Sequence, residues 1–177
     1  IYHPRVTTGT EVQESIKYYT QGIHITDQET QRFIDFISKL DRKVAVVFYG
    51  DHHPGLYNSL ADLNGTFEYA TTEFFVYTNF NDKQSKIDNP VSSTNLINYL
   101  YDASDVKVNA IHQLVWELRK EVPAGKNTEY LLNDGSVKTK DQLSEKQKEL
   151  LDKYYLIEYD IIEGKQYSQD YIKEKGW

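Results

Sequence analysis

The chain contains no cysteine, no methionine and no long apolar run, and each absence narrows the classes of protein that it fits. Without cysteine there is no disulfide bond, no thiolate nucleophile and no cysteine-ligated zinc site. Because no apolar run reaches about 18 residues, no segment is predicted to span a membrane. With 27 acidic residues against 20 basic ones, the formal net charge is -7. This balance argues against a nucleic-acid partner, since phosphate contact requires clustered lysine and arginine.

The length and the hydrophobic content are those of a folded domain. The chain has 177 residues, of which 39% are hydrophobic, and this is enough for one domain with a core. Tyrosine is unusually common, with 15 residues. The chain begins with Ile1 and contains no methionine, which predicts that it is the C-terminal piece of a longer protein.

Periodic apolar residues predict three helices in the first two thirds of the chain. Apolar side chains at spacings of three, four and seven predict one long helix, or two abutting helices, over residues 11–40. Ser93 or Thr94 is predicted to cap a helix over 95–103. A further amphipathic helix is predicted over 108–122.

Local signals also predict the structure that follows. The pair Asp134 and Gly135 between short apolar runs indicates the turn of a hairpin. Ser144, with Gln147 three residues later, fits a capping box and predicts that a last helix covers 143–159.

Two stretches have the composition of buried strands. Residues 43–49 form a continuous run of Val and Phe without alternation, and residues 72–80 form a second such run. A run of this kind is typical of a strand buried on both faces of a parallel sheet. The order helix, strand, loop, strand, helix therefore predicts an α/β layered sheet.

The first of these strands ends on ionisable residues. Asp51 and His52 follow Gly50, which is predicted to allow the chain to turn so that both side chains reach the same point. Ligands collect at the carboxyl ends of strands in open α/β sheets. A carboxylate with a neutral imidazole is a common ligand set for Mn²⁺ or Zn²⁺. The alternative is a solvated corner between strand and loop.

Two other histidines are weaker candidates for functional residues. His24 and Asp27 lie three residues apart on the first predicted helix, where they either support a nearby site or form a surface hydrogen bond. His112 is predicted to lie on the surface of its helix.

The stretch VVFYGDHHPGLY resembles the Gly-Asp-His segment of the lipoteichoic acid synthase family. These are sulfatase-like enzymes of the alkaline phosphatase superfamily. The resemblance covers most of residues 15–168 and includes TTEFFVYTNF and SDVKVNAIHQLVWELRKEVPA. It implies an α/β fold, a partial alkaline phosphatase-like three-layer sheet with flanking helices. Residues 1–125 would be the C-terminal portion of the catalytic domain, and residues 126–177 a hairpin and helix extension of the same domain.

The resemblance also implies roles for particular residues. Asp51 and His52 match the positions that bind the catalytic metal in the family, Mn²⁺ or Mg²⁺, with weak binding expected in this chain. His3 is the nearest candidate for the family's substrate-binding histidine. His53 stands where the family varies and receives no role. The catalytic threonine of the family would lie upstream, so this chain alone is expected to turn over nothing.

The function implied by the resemblance is that of a phosphoglycerol transferase. Such an enzyme passes glycerophosphate from a phosphatidylglycerol-type headgroup to a growing glycerophosphate polymer. The parent chain is expected at the extracellular face of a Gram-positive cell membrane, anchored by upstream transmembrane helices. Its other partner would be the upstream half of the catalytic domain. Two alternatives stay open: a sulfatase or phosphodiesterase-type hydrolase on the same fold, and a non-catalytic cell-envelope binding module.

Overall fold

The computed structural model describes residues 10–55, 67, 70–81, 87 and 89–169. Within these residues the chain forms four α-helices and five strands, together with two short 3-10 turns. In chain order the helices and strands are α1 (Thr10–Ile37), β1 (Ala45–Tyr49), β2 (Phe74–Thr78), α2 (Leu96–Ser104), α3 (Ala110–Glu121), β3 (Ala124–Lys126), β4 (Glu129–Leu131), β5 (Val137–Thr139) and α4 (Glu145–Ile162).

The chain divides into two compact units. The first consists of Ile1–Val44 with Phe48–Phe80, and the second of Ala45–Val47 with Asn81–Trp177. The predicted domain boundary between residues 125 and 126 falls within β3, and the assignment of 1–125 and 126–177 to one catalytic domain stays a prediction.

In the first unit, α1 is a single continuous helix, which confirms the first of the two predicted forms. Carbonyls at and after the end of this helix accept hydrogen bonds from Asn79, the residue that follows β2. The Asn79 side-chain amide donates to the carbonyls of Ile37 at 3.0 Å, Leu40 at 3.3 Å and Arg42 at 3.0 Å. Ile37 is the last residue of α1, whereas Leu40 and Arg42 belong to the segment after it, so Asn79 binds both the end of the helix and the turn that follows.

Strands β1 and β2 pair with each other. The Gly50 N–H donates to the Glu73 carbonyl at 3.1 Å, and the Asn79 N–H donates to the Val44 carbonyl at 3.2 Å. Because the end of β1 lies beside the start of β2, the pair is antiparallel, and the expected parallel pairing is wrong for these two strands. The expected burial on both faces is also wrong for the described residues, since Tyr49 is 53% exposed.

In the second unit, a 3-10 turn over Ser93–Asn95 leads into α2. The predicted cap is wrong here: Asn95, not Ser93 or Thr94, occupies the N-cap position of α2, and its side chain makes no capping hydrogen bond. The physical reason is the 3-10 turn, whose backbone hydrogen bond from the Asn95 N–H to the Ser92 carbonyl precedes the helix.

The predicted helix over 108–122 is confirmed as α3. The Asn109 side chain caps it by accepting a hydrogen bond from the His112 N–H at 3.0 Å. Strands β3, β4 and β5 then form an antiparallel sheet, in which Ala124 lies opposite Leu131 and Leu131 lies opposite Val137. The predicted hairpin turn is confirmed, since Gly135 joins β4 to β5 with a φ of +80°.

The last predicted helix is confirmed as α4, and so is its capping box. The Ser144 hydroxyl accepts from the Gln147 N–H at 3.3 Å, while the Gln147 side chain accepts from the Ser144 N–H at 2.9 Å. The core of the second unit packs between α3, α4 and the small sheet. Its buried members are Val122, Tyr130, Leu132, Leu143 and Leu151.

Among the described residues, no helix combines the length and the apolar character needed to cross a bilayer.

Candidate metal centre

The corner with Asp51 and His52 begins where β1 ends at Tyr49. The end of this strand is held to β2 by the rings of Phe48 and Phe75, which stack with centroids 5.3 Å apart. Stacked aromatic pairs of this kind add to the stability of a two-stranded contact. The strand pair therefore supplies a defined base from which the Asp-His corner projects.

Gly50, the first residue after β1, is fixed on both sides by the start of β2. Its N–H donates to the Glu73 carbonyl at 3.1 Å, and its carbonyl accepts a hydrogen bond from the Thr72 hydroxyl at 2.6 Å. A Cβ atom added to Gly50 would lie 3.1 Å from the Cβ of Thr72. The expectation that a turn requires glycine at position 50 is therefore wrong. The φ of Gly50 is not positive, and the glycine allows the close approach of Thr72.

The structure brings Asp51 and His52 together. Nε2 of His52 lies 3.4 Å from Oδ2 of Asp51. The other carboxylate oxygen, Oδ1, accepts a hydrogen bond from the His52 N–H at 2.9 Å. Both side chains are largely in solvent, with 80% of the Asp51 side chain and 76% of the His52 side chain exposed. The pair thus presents one carboxylate oxygen and one imidazole nitrogen to the same exposed point.

The other imidazole nitrogen defines the tautomer of His52. Nδ1 of His52 lies 2.8 Å from the carbonyl oxygen of His53. A carbonyl only accepts, so this hydrogen bond requires the proton on Nδ1. In the neutral ring the lone pair is then on Nε2, the nitrogen that lies 3.4 Å from the Asp51 carboxylate.

This donor set fits a divalent cation. Histidines that bind metals usually donate their second ring N–H to a backbone carbonyl or a carboxylate, as His52 does to His53. Two ligand atoms that are each about 2.1 Å from one ion are about 3.0 Å apart at an octahedral angle and about 3.4 Å apart at a tetrahedral one. The 3.4 Å between Asp51 Oδ2 and His52 Nε2 lies within this span.

Two donors are fewer than a tight site requires. Among the residues that the structure describes, no group of three or more His, Asp or Glu side chains is placed to hold one ion. His3, the predicted substrate-binding histidine, lies outside the described residues. The metal-binding role of Asp51 and His52 stays a prediction.

Two other histidines were considered in the sequence, and each makes contacts of its own. On the exposed surface of α1, His24 Nε2 lies 3.2 Å from the side-chain nitrogen of Gln28, a surface contact. The prediction that His112 lies on the surface of its helix is wrong. Its Nδ1 is buried without a hydrogen-bond partner among the described residues, and burial lowers the pKa of the imidazole.

Thr72 is the residue of the corner that sequence reasoning missed. It lies 22 residues from Gly50 along the chain, and no local motif links the two positions. The sequence does contain one signal for this contact, which is Gly50 itself. A glycine at a strand end often marks the close approach of another segment.

The chain has an α/β fold, and a family profile identifies its family. The profile of the sulfatase family matches residues 2–106, and the chain belongs to that family. None of the curated proteins matches the sequence.

A solved structure with the same fold is the phosphoglycerol transferase GacH of Streptococcus pyogenes, in complex with sn-glycerol-1-phosphate. The TM-score is 0.72 and the sequences are 23% identical. The match covers 94% of this chain and 40% of the GacH chain, so the present sequence spans less than half of that protein. The comparison confirms the predicted partial alkaline phosphatase-like fold.

Proposed function

We propose that the chain forms part of a metal-dependent phosphoglycerol transferase of the lipoteichoic acid synthase type. Asp51 and His52 hold a divalent cation, Mn²⁺ or Mg²⁺. The observation that carries this proposal is the placement of Asp51 Oδ2 and His52 Nε2 3.4 Å apart, with the His52 proton held on Nδ1 by the His53 carbonyl. The shared fold with a phosphoglycerol transferase supports it.

The chain's own residues would prepare the site for the ion. The Asp51 carboxylate supplies negative charge, and the His53 carbonyl accepts from Nδ1 of His52 and so orients the ring with Nε2 as the nitrogen left to bind the ion. A divalent cation bound there supplies positive charge beside a phosphate group and lowers the pKa of a hydroxyl that binds it.

The proposed reaction moves a glycerophosphate unit between two alcohols. The bond between phosphorus and the diacylglycerol oxygen of phosphatidylglycerol breaks, and a new bond forms between phosphorus and a hydroxyl of the glycerophosphate polymer. The acceptor's proton passes to diacylglycerol. A threonine outside this chain would carry the glycerophosphate group: its bond to phosphorus would form as diacylglycerol leaves and break as the polymer hydroxyl attacks. The lipid donor places the reaction at a membrane surface, and we propose the extracellular face of a bacterial membrane.

The partner within the catalytic domain would be a further segment with the sulfatase fold. The match to GacH leaves 60% of that protein's chain outside the region of similarity, since the match covers 40% of it. Helix α1 exposes a set of large apolar side chains that such a segment would cover. They are Tyr18, Tyr19, Ile23, Ile25, Phe33 and Phe36.

The test is glycerophosphate transfer from phosphatidylglycerol by the full natural protein, with Asp51→Ala and Asp41→Ala compared. Asp41 is an exposed residue of the loop after α1 and serves as the matched control. We expect Asp51→Ala to lower transfer by about 100-fold or more, as for loss of a charged group that stabilises a transition state. Asp41→Ala should retain full transfer. Equal activity of Asp51→Ala and the unaltered protein would refute the role of the corner.

The products of the same assay separate the alternatives. Free glycerophosphate without extension of the polymer indicates a hydrolase, and release of sulfate from a sulfate ester indicates a sulfatase. A non-catalytic cell-envelope module is the second candidate. The finding that favours it is that the described residues provide only two of the donors that a tight metal site needs. Binding of the polymer without turnover by the full protein would support that candidate.

A further inference from the structure

The Thr72 side chain attaches the loop that carries Asp51 and His52 to the start of β2. The Thr72 hydroxyl donates to the Gly50 carbonyl at 2.6 Å. On the other side of the same residue, the Gly50 N–H donates to the Glu73 carbonyl at 3.1 Å. The second contact continues the pattern of the strand pair, whereas the first depends on the hydroxyl of Thr72.

The Gly50 carbonyl belongs to the peptide group that also contains the Asp51 nitrogen. Because a peptide group is planar, a hydrogen bond that fixes its oxygen also fixes the direction in which the chain enters Asp51. Thr72 therefore acts on the backbone immediately before the first of the two proposed metal ligands.

Other means of holding the two ligands are few. The side chains of Asp51 and His52 are 80% and 76% exposed, so packing does little to order them. Among the residues that the structure describes, their hydrogen bonds lie within the corner, from the His52 N–H to Asp51 and from His52 Nδ1 to the His53 carbonyl. These contacts shape the corner without attaching it to the strand pair.

The glycine and the threonine act as a pair. Thr72 reaches the Gly50 carbonyl because no Cβ stands in its way, since an added Cβ would lie 3.1 Å from the Thr72 Cβ. A side chain at position 50 would therefore require Thr72 to shift by a few tenths of an ångström relative to the carbonyl that it binds.

We propose that Thr72 is a positioning residue for the metal-binding pair Asp51 and His52. Its hydroxyl fixes the Gly50–Asp51 peptide and thereby the direction in which both ligands project. This inference rests on the metal site proposed above. Thr72 does not bind the ion itself, and its effect passes through the backbone of Gly50.

The experiment measures Mn²⁺ binding to the 177-residue chain by the broadening of the His52 ring signals in NMR spectra, a method that detects weak sites. Thr72→Val removes the hydroxyl and keeps the shape, and Thr72→Ser keeps the hydroxyl. Thr71→Val is the matched control, because the Thr71 hydroxyl donates at 2.6 Å to the carbonyl of Phe67 and not to the corner.

We expect Thr72→Val to weaken Mn²⁺ binding by about 10-fold, in the range seen when groups that orient metal ligands are removed. Thr72→Ser should stay within about 2-fold of the unaltered chain, since a serine hydroxyl makes the same bond. Thr71→Val should bind as the unaltered chain does. A purely structural role would lead Thr71→Val and Thr72→Val to weaken binding alike.

A second variant keeps the inference testable if Thr72→Val does not fold. Gly50→Ala retains the hydroxyl but displaces it, so it should weaken Mn²⁺ binding as Thr72→Val does. The double variant Gly50→Ala with Thr72→Val should bind Mn²⁺ no more weakly than either single variant, because both substitutions remove the same contact. Full Mn²⁺ binding by Thr72→Val would overturn the positioning role alone. Absence of any Mn²⁺ effect on His52 in the unaltered chain would overturn the proposed metal site and this inference with it.

Discussion

Asn79 and Val44 form a reciprocal pair of hydrogen bonds at the junction of β1 and β2. The Val44 N–H donates to Oδ1 of Asn79 at 2.9 Å, and the Asn79 N–H donates to the Val44 carbonyl at 3.2 Å. The amide nitrogen of the same side chain reaches the carbonyl of Ile37 at the end of α1 and two carbonyls of the segment that follows. Since that amide has only two protons, the three carbonyls share them. One side chain therefore joins the helix to both strands.

Replacing Asn79 by Ala should lower the free energy of unfolding by about 2–4 kcal/mol, because it leaves several backbone groups without partners. Urea unfolding followed by circular dichroism measures this change. The control is Asn89→Ala, at an exposed asparagine whose amide makes one long contact of 3.4 Å. Asn89→Ala should change the free energy of unfolding by no more than about 0.5 kcal/mol. Equal effects of the two substitutions would contradict the role assigned to Asn79.

Two glycines should respond in opposite ways to alanine. Gly22 lies within α1, and no atom lies within 4 Å of the position that an added Cβ would take. Gly22→Ala should therefore stabilise the chain by about 0.5–1 kcal/mol through helix propensity. Gly135 has a φ of +80° at the hairpin turn, so Gly135→Ala should destabilise it by about 1 kcal/mol or more. Denaturant unfolding of both variants measures the two signs. A stabilising effect of Gly135→Ala would show that the turn tolerates a side chain.

His112 should make stability depend on pH near neutrality. Burial lowers the pKa of its imidazole from the usual 6.5. As the pH falls from about 7 to 5, the unfolded chain takes up a proton at this histidine before the folded chain does, so the free energy of unfolding should fall. Asp134, Asp141 and Asp160, whose carboxyl pKa values are held low by hydrogen bonds, titrate below this window.

The measurement for His112 is the free energy of unfolding at several pH values between 5 and 7, with His112→Phe compared. The ring of Phe keeps the edge contact with Tyr101, whose centroid lies 5.0 Å from that of His112. We expect the pH dependence to shrink in His112→Phe and to persist in His24→Gln, where an exposed histidine is removed. An unchanged slope in His112→Phe would contradict the assignment.

Features determined by neighbouring residues could be predicted from the sequence. The capping box of Ser144 and Gln147 and the turn at Gly135 each involve residues within a few positions of one another. The strand that ends before Asp51 could be recognised because a run of Val and Phe needs no partner to be identified. These predictions succeeded because the physical cause and the sequence signal lie in the same short segment.

Features determined by distant contacts could not be predicted. Asn79 caps a helix 42 residues earlier in the chain, and Thr72 binds Gly50 across 22 residues. Ser93 had the right residue type for a helix cap, but a 3-10 turn moved the start of α2 to Leu96. The antiparallel pairing of β1 and β2 was missed for the same reason, because strand direction depends on a partner that periodicity does not identify.

The central claim is that Asp51 and His52 form part of a metal site, and Mn²⁺ binding to the 177-residue chain tests it most directly. Electron paramagnetic resonance counts free and bound Mn²⁺ for the unaltered chain, His52→Ala and the exposed-histidine control His24→Ala. We predict one weak site per chain, weakened by about 10-fold or more in His52→Ala, as for loss of a ligand, and unchanged in His24→Ala. Equal binding by the unaltered chain and His52→Ala, or no binding by either, would contradict the account.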